Sequence, residues 1–282
     1  MSSTPAYLRP RLIALVAAGG AAGTALRQLV GLGLPDGRQW PWALIAVNVT
    51  GAFALGLLTQ ALARRGPETR LRRDVRLGAG TGALGAYTTY SSLAAQLDLL
   101  ARAGRPWLAA AFAVLSLAGG VAAGRGRAGA RPPRAPAAPP APGSTTGAGV
   151  TFWLVVVAGG LGAACRFVLD GAVRRRLPTR LPAATLAVNA LGSLVLGAAM
   201  GAVAGAAVSS GAGSGAGAAG VPAPAWATVV GMGWCGGFTT FSTHMVETCH
   251  LAAHAGRRAA ANLALMLAVT CAAASLGYWA AA

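Results

Sequence analysis

The chain has no lysine. All 23 of its basic residues are arginine, against only six acidic residues, which gives a formal net charge of +17 over 282 residues. Acids are nearly absent from the apolar stretches: Asp98 and Glu247 approach them, each close to a segment end. That argues against proton-coupled export of organic cations, which needs a central carboxylate as counter-ion and proton carrier. The four cysteines (Cys165, Cys235, Cys249, Cys271) form no CxxC pair and lie in or beside apolar stretches. They read as small buried hydrophobes rather than as disulfides or metal ligands. No nucleophile–base constellation and no phosphate loop is present, so enzyme chemistry is not expected. The first apolar stretch lacks a convincing cleavage site and carries Arg27, so it reads as a retained span rather than a leader.

What the chain has is apolar length. It is 55% hydrophobic and 10% charged, with a mean hydropathy of +0.58, which is a membrane-protein composition. Eight segments approach the roughly 20 residues needed to span a bilayer: 11–33, 41–63, 76–100, 106–124, 150–172, 182–208, 225–250 and 258–281. The fold expected is therefore an all-α integral membrane protein of eight transmembrane helices. Unpaired backbone is not tolerated in lipid, and the Ala/Gly content lets helices approach closely. The arginines fall mostly between these segments, where they read as topology signals rather than as a nucleic-acid surface. Residues 125–149, dense in Pro and Arg, read as a linker, and Ser209–Gly220 as a flexible loop.

The chain repeats itself across that linker. GGAAGTALR, ending at Arg27, returns as AGGLGAACR, ending at Arg166. AVNVTGAFALG, with Asn48, returns as AVNALGSLVLG, with Asn189. YTTYSS at 87–92 returns as FTTFST at 238–243. Three matches in the same order divide the chain into a first four-helix repeat, 1–124, the linker, 125–149, and a second four-helix repeat, 150–282.

Each repeated motif sets a polar group in an apolar segment. Arg27 and Arg166 either snorkel to the interface or face protein. Asn48 and Asn189 either tie helices together or line an ion path. Three or four hydroxyls beside paired glycines predict a break in the third helix of each half, which frees carbonyls and exposes amides and hydroxyls. Arginine, amide, hydroxyl and aromatic edge together select a small anion. His250 and His254 are spaced i,i+4 with His244 six residues earlier, but no carboxylate or thiolate completes a metal set.

Arginine counts predict opposite orientations for the halves. In the first, twelve arginines flank the N-terminal side of the bundle and three the other. In the second, Arg174, Arg175, Arg176, Arg180, Arg257 and Arg258 lie in the loops opposite its own N-terminus. That is the mark of an inverted repeat. The even span count pulls the other way, because four spans return the chain to the face it started from. Either one segment does not span, or one half overrides its bias, or parallel halves find their inverted partner in a second chain.

With GxxxR, AVNxxG and GGFTTFST in place, nearly the whole chain outside the linker and the Gly/Ser loop resembles the Fluc (CrcB) fluoride channels. That resemblance implies four-span units paired antiparallel, two narrow fluoride pores and a sodium ion buried between the units. It implies passive, selective export of fluoride from a multi-pass protein of the cell membrane, with no nucleic-acid partner. A second copy of the chain or a related subunit is the partner to be expected. By position, Asn48 and Asn189 resemble the pore asparagine, and Arg27 and Arg166 the arginine of the first span. Gly85, Thr88, Gly236 and Thr239 correspond to the backbone carbonyls that hold sodium. Ser91, Ser92, Ser242 and Thr243 resemble the hydroxyl track, and Glu247 a vestibule acid whose counterpart is Gln96. The family's two ring positions read Phe241 and His244 in one half, Tyr90 and Leu93 in the other. Unequal pores are therefore expected. A small multidrug-type dual-topology transporter and a non-conducting partner subunit are the alternatives.

Overall fold

The computed structural model describes residues 4–34, 40–125, 146–177, 181–209 and 224–282, so most of the linker and of the Gly/Ser loop lies outside the described residues. The described residues form helices and short turns, with no strand. The first half comprises α1 (Pro10–Gly33), α2 (Trp42–Ala63), α3 (Arg70–Val75), α4 (Gly85–Tyr87), α5 (Ser91–Arg102) and α6 (Pro106–Gly124). The second comprises α7 (Thr146–Arg176), α8 (Ala183–Ser209), α9 (Ala225–Thr228), α10 (Gly236–Phe238), α11 (Phe241–His254) and α12 (Gly256–Ala281). Six of these, α1, α2, α6, α7, α8 and α12, are long and apolar enough to cross a membrane. The large exposed side chains include Leu32, Trp107, Val114, Trp153, Val157 and Trp279, an apolar exterior suited to lipid.

The third and seventh segments are each interrupted. A π-helical stretch joins α3 to α4 (Arg76–Leu84) and another joins α9 to α10 (Val229–Cys235). Both are rich in glycine, which holds the i→i+4 ladder weakly, and wide turns of this kind collect at functional sites. The helix then stops. Thr88 (ψ 155°) and Thr239 (ψ 162°) are extended before α5 and α11 begin. Where the sequence leads one to expect eight crossings, six helices are long and apolar enough, the third and seventh segments being broken. Other differences lie at ends: α7 starts at Thr146, inside the stretch read as linker, and the third segment starts at Arg70 rather than 76.

Glycine governs how closely these helices approach. A Cβ on Gly23 would strike the Ala83 carbonyl, and one on Gly162 the Trp234 carbonyl, so α1 and α7 lie directly on the π-helical stretches of their own halves. α1 and α7 also pack on each other. Gly20 faces Ala163, Gly159 faces Thr24 and Gly171 faces Tyr7. Low numbers in one helix meet high numbers in the other, so the two run antiparallel. The third segment of each half reaches across to the last helix of the other. Ser275 Oγ donates to Asp98 at 2.6 Å, and Cys249 lies against the Val121 carbonyl. A buried cluster that includes Tyr90, Leu93, Phe112, Phe241, Met245 and Met266 fills the centre between the halves.

Candidate functional site

The two breaks meet at the middle of the molecule. Thr88 Oγ1 donates to Ser242 Oγ at 3.0 Å and accepts from the Ser242 N–H at 3.1 Å. In the reciprocal pair, Thr239 Oγ1 lies 3.0 Å from Ser91 Oγ and accepts from the Ser91 N–H at 3.3 Å. Thr89 Oγ1 joins Ser91, Ser92 and Thr239 at 3.1–3.2 Å. Thr240 Oγ1 accepts from Thr243 N and reaches Thr243 Oγ1 at 3.0 Å, capping α11. The eight hydroxyls of the breaks thus gather as a cluster of two hydrogen-bonded sets, Thr88 with Thr240, Ser242 and Thr243, and Thr89 with Ser91, Ser92 and Thr239, each of which crosses between the halves. A cavity of 740 Å³ reaches it from one side, lined in part by Arg27, Gln28, Thr89, Ser92, Gln96 and Phe152.

Asn48 and Asn189 are bolts on the breaks. Asn48 donates to the Thr89 carbonyl at 3.1 Å and accepts from the Thr89 N–H at 3.0 Å. Asn189 does the same with Thr240 at 3.0 and 2.9 Å. Each amide pairs with the backbone N–H and C=O of one residue that the interruption has deprived of helical partners. The tying role is therefore observed directly; Asn48 keeps a second amide N–H for an ion, whereas the Asn189 amide nitrogen also donates to Met266 Sδ at 3.5 Å.

The arginines do not snorkel. Arg27 is 8% exposed and Arg166 4%. Arg27 Nη1 donates to the carbonyls of Ala86 and Gly236, both at 2.8 Å, and Nη2 donates to that of Met232. Arg166 Nη2 donates to the Thr81 carbonyl at 2.6 Å. A Cβ on Gly236 would strike the Arg27 guanidinium, and one on Gly85 that of Arg166. Each guanidinium therefore stands against the break of the opposite half.

These contacts bear on sodium. The four expected ligand positions, Gly85, Thr88, Gly236 and Thr239, offer oxygen donors alone, the chemistry a hard cation takes. The extended conformation at Thr88 and Thr239 takes their carbonyls out of the helical ladder. The Gly236 carbonyl already has one donor, Arg27. The donor chemistry fits sodium, with a guanidinium beside two of the four positions.

The rings come together as a group. Tyr90 stacks on Phe241 with centroids 5.9 Å apart and meets His244 edge-on at 5.4 Å and 82°. Tyr90, Leu93, Phe241 and His244 are all fully buried. Two polar atoms of the group, Tyr90 OH and His244 Nε2, have no hydrogen-bond partner. Glu247 is held at the edge of its half, accepting from Arg174 Nη2 at 2.7 Å, while Arg174 Nε donates to Asp170 at 2.8 Å. Asp170 is a third acid within an apolar helix, passed over in the sequence; its partner Arg174 lies one turn further along α7. Its counterpart position in the first half is Gly31, beside the open cavity. Among the described residues, no three of His, Cys, Asp or Glu are grouped as a metal set.

Asn262 was missed from sequence. It lies on α12, buried, donating to Thr248 Oγ1 at 2.8 Å and lying 3.3 Å from His244 Nδ1. The chain has only three asparagines, at 48, 189 and 262, and that scarcity was the available signal.

Taken together this is a multi-pass helical membrane protein with a buried, arginine-flanked hydroxyl centre. The chain belongs to the CrcB family: residues 14–126 and 153–278 each match the family described as CrcB-like protein, Camphor Resistance (CrcB). It is 44% identical over 122 residues to "Fluoride-specific ion channel FluC 2" of Leifsonia xyli subsp. xyli, covering 43% of this chain and 84% of that protein. It is 38% identical over 113 residues to "Fluoride-specific ion channel FluC 1" of Cutibacterium acnes, covering 40% and 79%. It is likewise 38% identical over 111 residues to "Fluoride-specific ion channel FluC" of Chelativorans sp., covering 39% and 86%. Each relative matches a stretch about as long as one half. No solved structure matches the chain.

Proposed function

We propose that this protein is a fluoride-selective channel that lets F⁻ leave the cell down its electrochemical gradient, and that its two halves form an inverted repeat in a bundle of eight crossings. The observation that carries the reading is the hydroxyl cluster. It joins the breaks of both halves at the centre of an apolar bundle and contains no carboxylate. Selection there replaces the anion's hydration shell with hydroxyl, amide and ring-edge contacts. The antiparallel packing of α1 on α7, the reciprocal Thr88–Ser242 and Thr239–Ser91 pairs and the crossing reach of Arg27 and Arg166 support the inverted arrangement. The names of the relatives support the ion.

The two pores are unequal on this reading. Tyr90 with His244 forms the ring pair of one, Phe241 with Leu93 that of the other. Ser92 and Gln96 open onto the large cavity, whereas Glu247 is tied to Arg174. A sodium ion, held by the carbonyls of Thr88 and Thr239 with those of Gly85 and Gly236, would neutralise the carbonyl ends and pin the breaks together. A multidrug-type transporter is disfavoured because, of the acids near the spans, Asp98, Asp170 and Glu247 all have arginine partners.

The test is anion efflux from liposomes containing the purified chain, driven by a potassium gradient with valinomycin. Rapid fluoride efflux without chloride efflux is expected. A folded, monodisperse protein that passes no fluoride would overturn the single-chain channel and favour a non-conducting partner subunit.

A further inference from the structure

We propose that Asn262 fixes the tautomer of His244, leaving its Nε2–H as a buried donor beside the Tyr90 ring, and that a small dehydrated anion binds this N–H. The proposal deepens the channel reading above and rests on it. Asn262 acts through His244 and is a positioning residue.

The tautomer follows from a closed set of hydrogen bonds. Thr248 Oγ1 donates its one proton to the His244 carbonyl at 2.7 Å. Its oxygen can then only accept, so the group facing it at 2.8 Å must be the Asn262 amide nitrogen, and the amide orientation is settled. That same nitrogen lies 3.3 Å from His244 Nδ1. Two donors cannot share a hydrogen bond, so Nδ1 accepts. The imidazole is therefore neutral and carries its proton on Nε2. Nε2 is buried without a partner, on a residue that is fully buried, and the Tyr90 hydroxyl on the adjoining ring is likewise unpartnered. Buried donors left open in this way mark a place for a ligand or water.

The first half shows what the polar pair replaces. In the register where Gly56 packs on Gly124 and Gly197 on Ala274, Phe112 corresponds to Asn262. Leu93 occupies the position of His244. Leu93 and Phe112 are both buried in the apolar cluster. One half thus has Leu with Phe, the other His with Asn. Both members change together, as they must if the Asn exists to orient the His.

The test uses the full chain in lipid with 15N-labelled histidine; there are three histidines, and His244→Phe assigns the signal. The expected spectrum shows His244 unprotonated at Nδ1 and protonated at Nε2, with Nε2 shifting on addition of fluoride and not of chloride. Asn262→Asp, which cannot donate to Nδ1, moves the proton to Nδ1. It lowers fluoride flux by about tenfold or more, the loss of one hydrogen bond to a charged group. In the His244→Phe background the same substitution costs clearly less flux, the carboxylate's repulsion of the anion being common to both backgrounds. An Nδ1–H tautomer or an imidazolium in the unaltered protein would overturn the proposal, as would an Nε2 signal blind to fluoride or equal flux losses in both backgrounds. If the chain passes no fluoride, the channel reading falls, while tautomer and fluoride shift still decide this one. If Asn262→Asp does not fold, those two measurements decide it alone.

Discussion

Asn48 and Asn189 carry the breaks, and their substitution tests this directly. Asn48→Ala leaves the Thr89 N–H and C=O buried without partners, at roughly 1–3 kcal/mol for each group. A clear fall in melting temperature is expected for Asn48→Ala and for Asn189→Ala, with fluoride efflux reduced in both. Unchanged melting in either variant would show that the asparagine hydrogen bonds to the Thr89 and Thr240 backbone do not hold the breaks. Both asparagines were legible because each recurs in the same glycine frame. Their partners were not, since sequence spacing cannot say which backbone a side chain reaches. Arg27 shows the same limit. An arginine near a helix end can snorkel or turn inward, and only the carbonyls of Ala86, Gly236 and Met232 decide it. Asn262 escaped notice because it lacks a counterpart, and a search by repeat passes over whatever one half has alone.

At the scale of the element, glycine divides into two kinds, and α1 has both. A Cβ on Gly23 would meet the Ala83 backbone, which cannot move aside, whereas nothing lies within 4 Å of a Cβ on Gly31. Gly23→Ala should therefore destabilise the protein by about 1–3 kcal/mol through overpacking. Gly31→Ala should stabilise it by about 0.5–1 kcal/mol through helix propensity. Denaturant or thermal unfolding of the two variants checks both signs, and a stabilising Gly23→Ala would mean that α1 is not seated on the π-helical stretch. The helix breaks were readable from the Thr-Thr pairs, because clustered hydroxyls in an apolar run have no better use. The π-helical stretches were not, because glycine permits them without requiring them. The start of α7 was misplaced for a similar reason: Thr146, Gly147, Ala148 and Gly149 read as loop by composition, and become helix as the N-terminal turn of a long apolar one.

For the whole molecule the question is how one chain would hold the two inverted halves proposed above. With α7 antiparallel to α1, the exposed tryptophans Trp42, Trp107, Trp153, Trp226 and Trp279 all gather at one end of the bundle. They form an interfacial belt there. The arginine-rich N-terminal segment and the loops containing Arg64–Arg76, Arg174–Arg176 and Arg257–Arg258 gather at the other. Both halves then satisfy their charge bias together. The linker, residues 126–145, must join Arg125 at the arginine end to Thr146 at the tryptophan end. At about 3.3 Å per residue it reaches well beyond the roughly 30 Å of a bilayer core, so length is no obstacle. Its three arginines are, at about 2.5–3.5 kcal/mol each if set in lipid. The alternative, parallel halves paired between two oppositely oriented chains, strands a half's arginines on the wrong face in both chains, a larger burden than three. A cysteine pair at Gly124 and Met245, whose Cβ atoms would lie 3.5 Å apart, decides between them in a background lacking the four native cysteines. The arginine count predicts a disulfide within one chain, migrating as a monomer after non-reducing electrophoresis. A covalent dimer would mean that each half finds its inverted partner in a second chain, and that the linker never crosses.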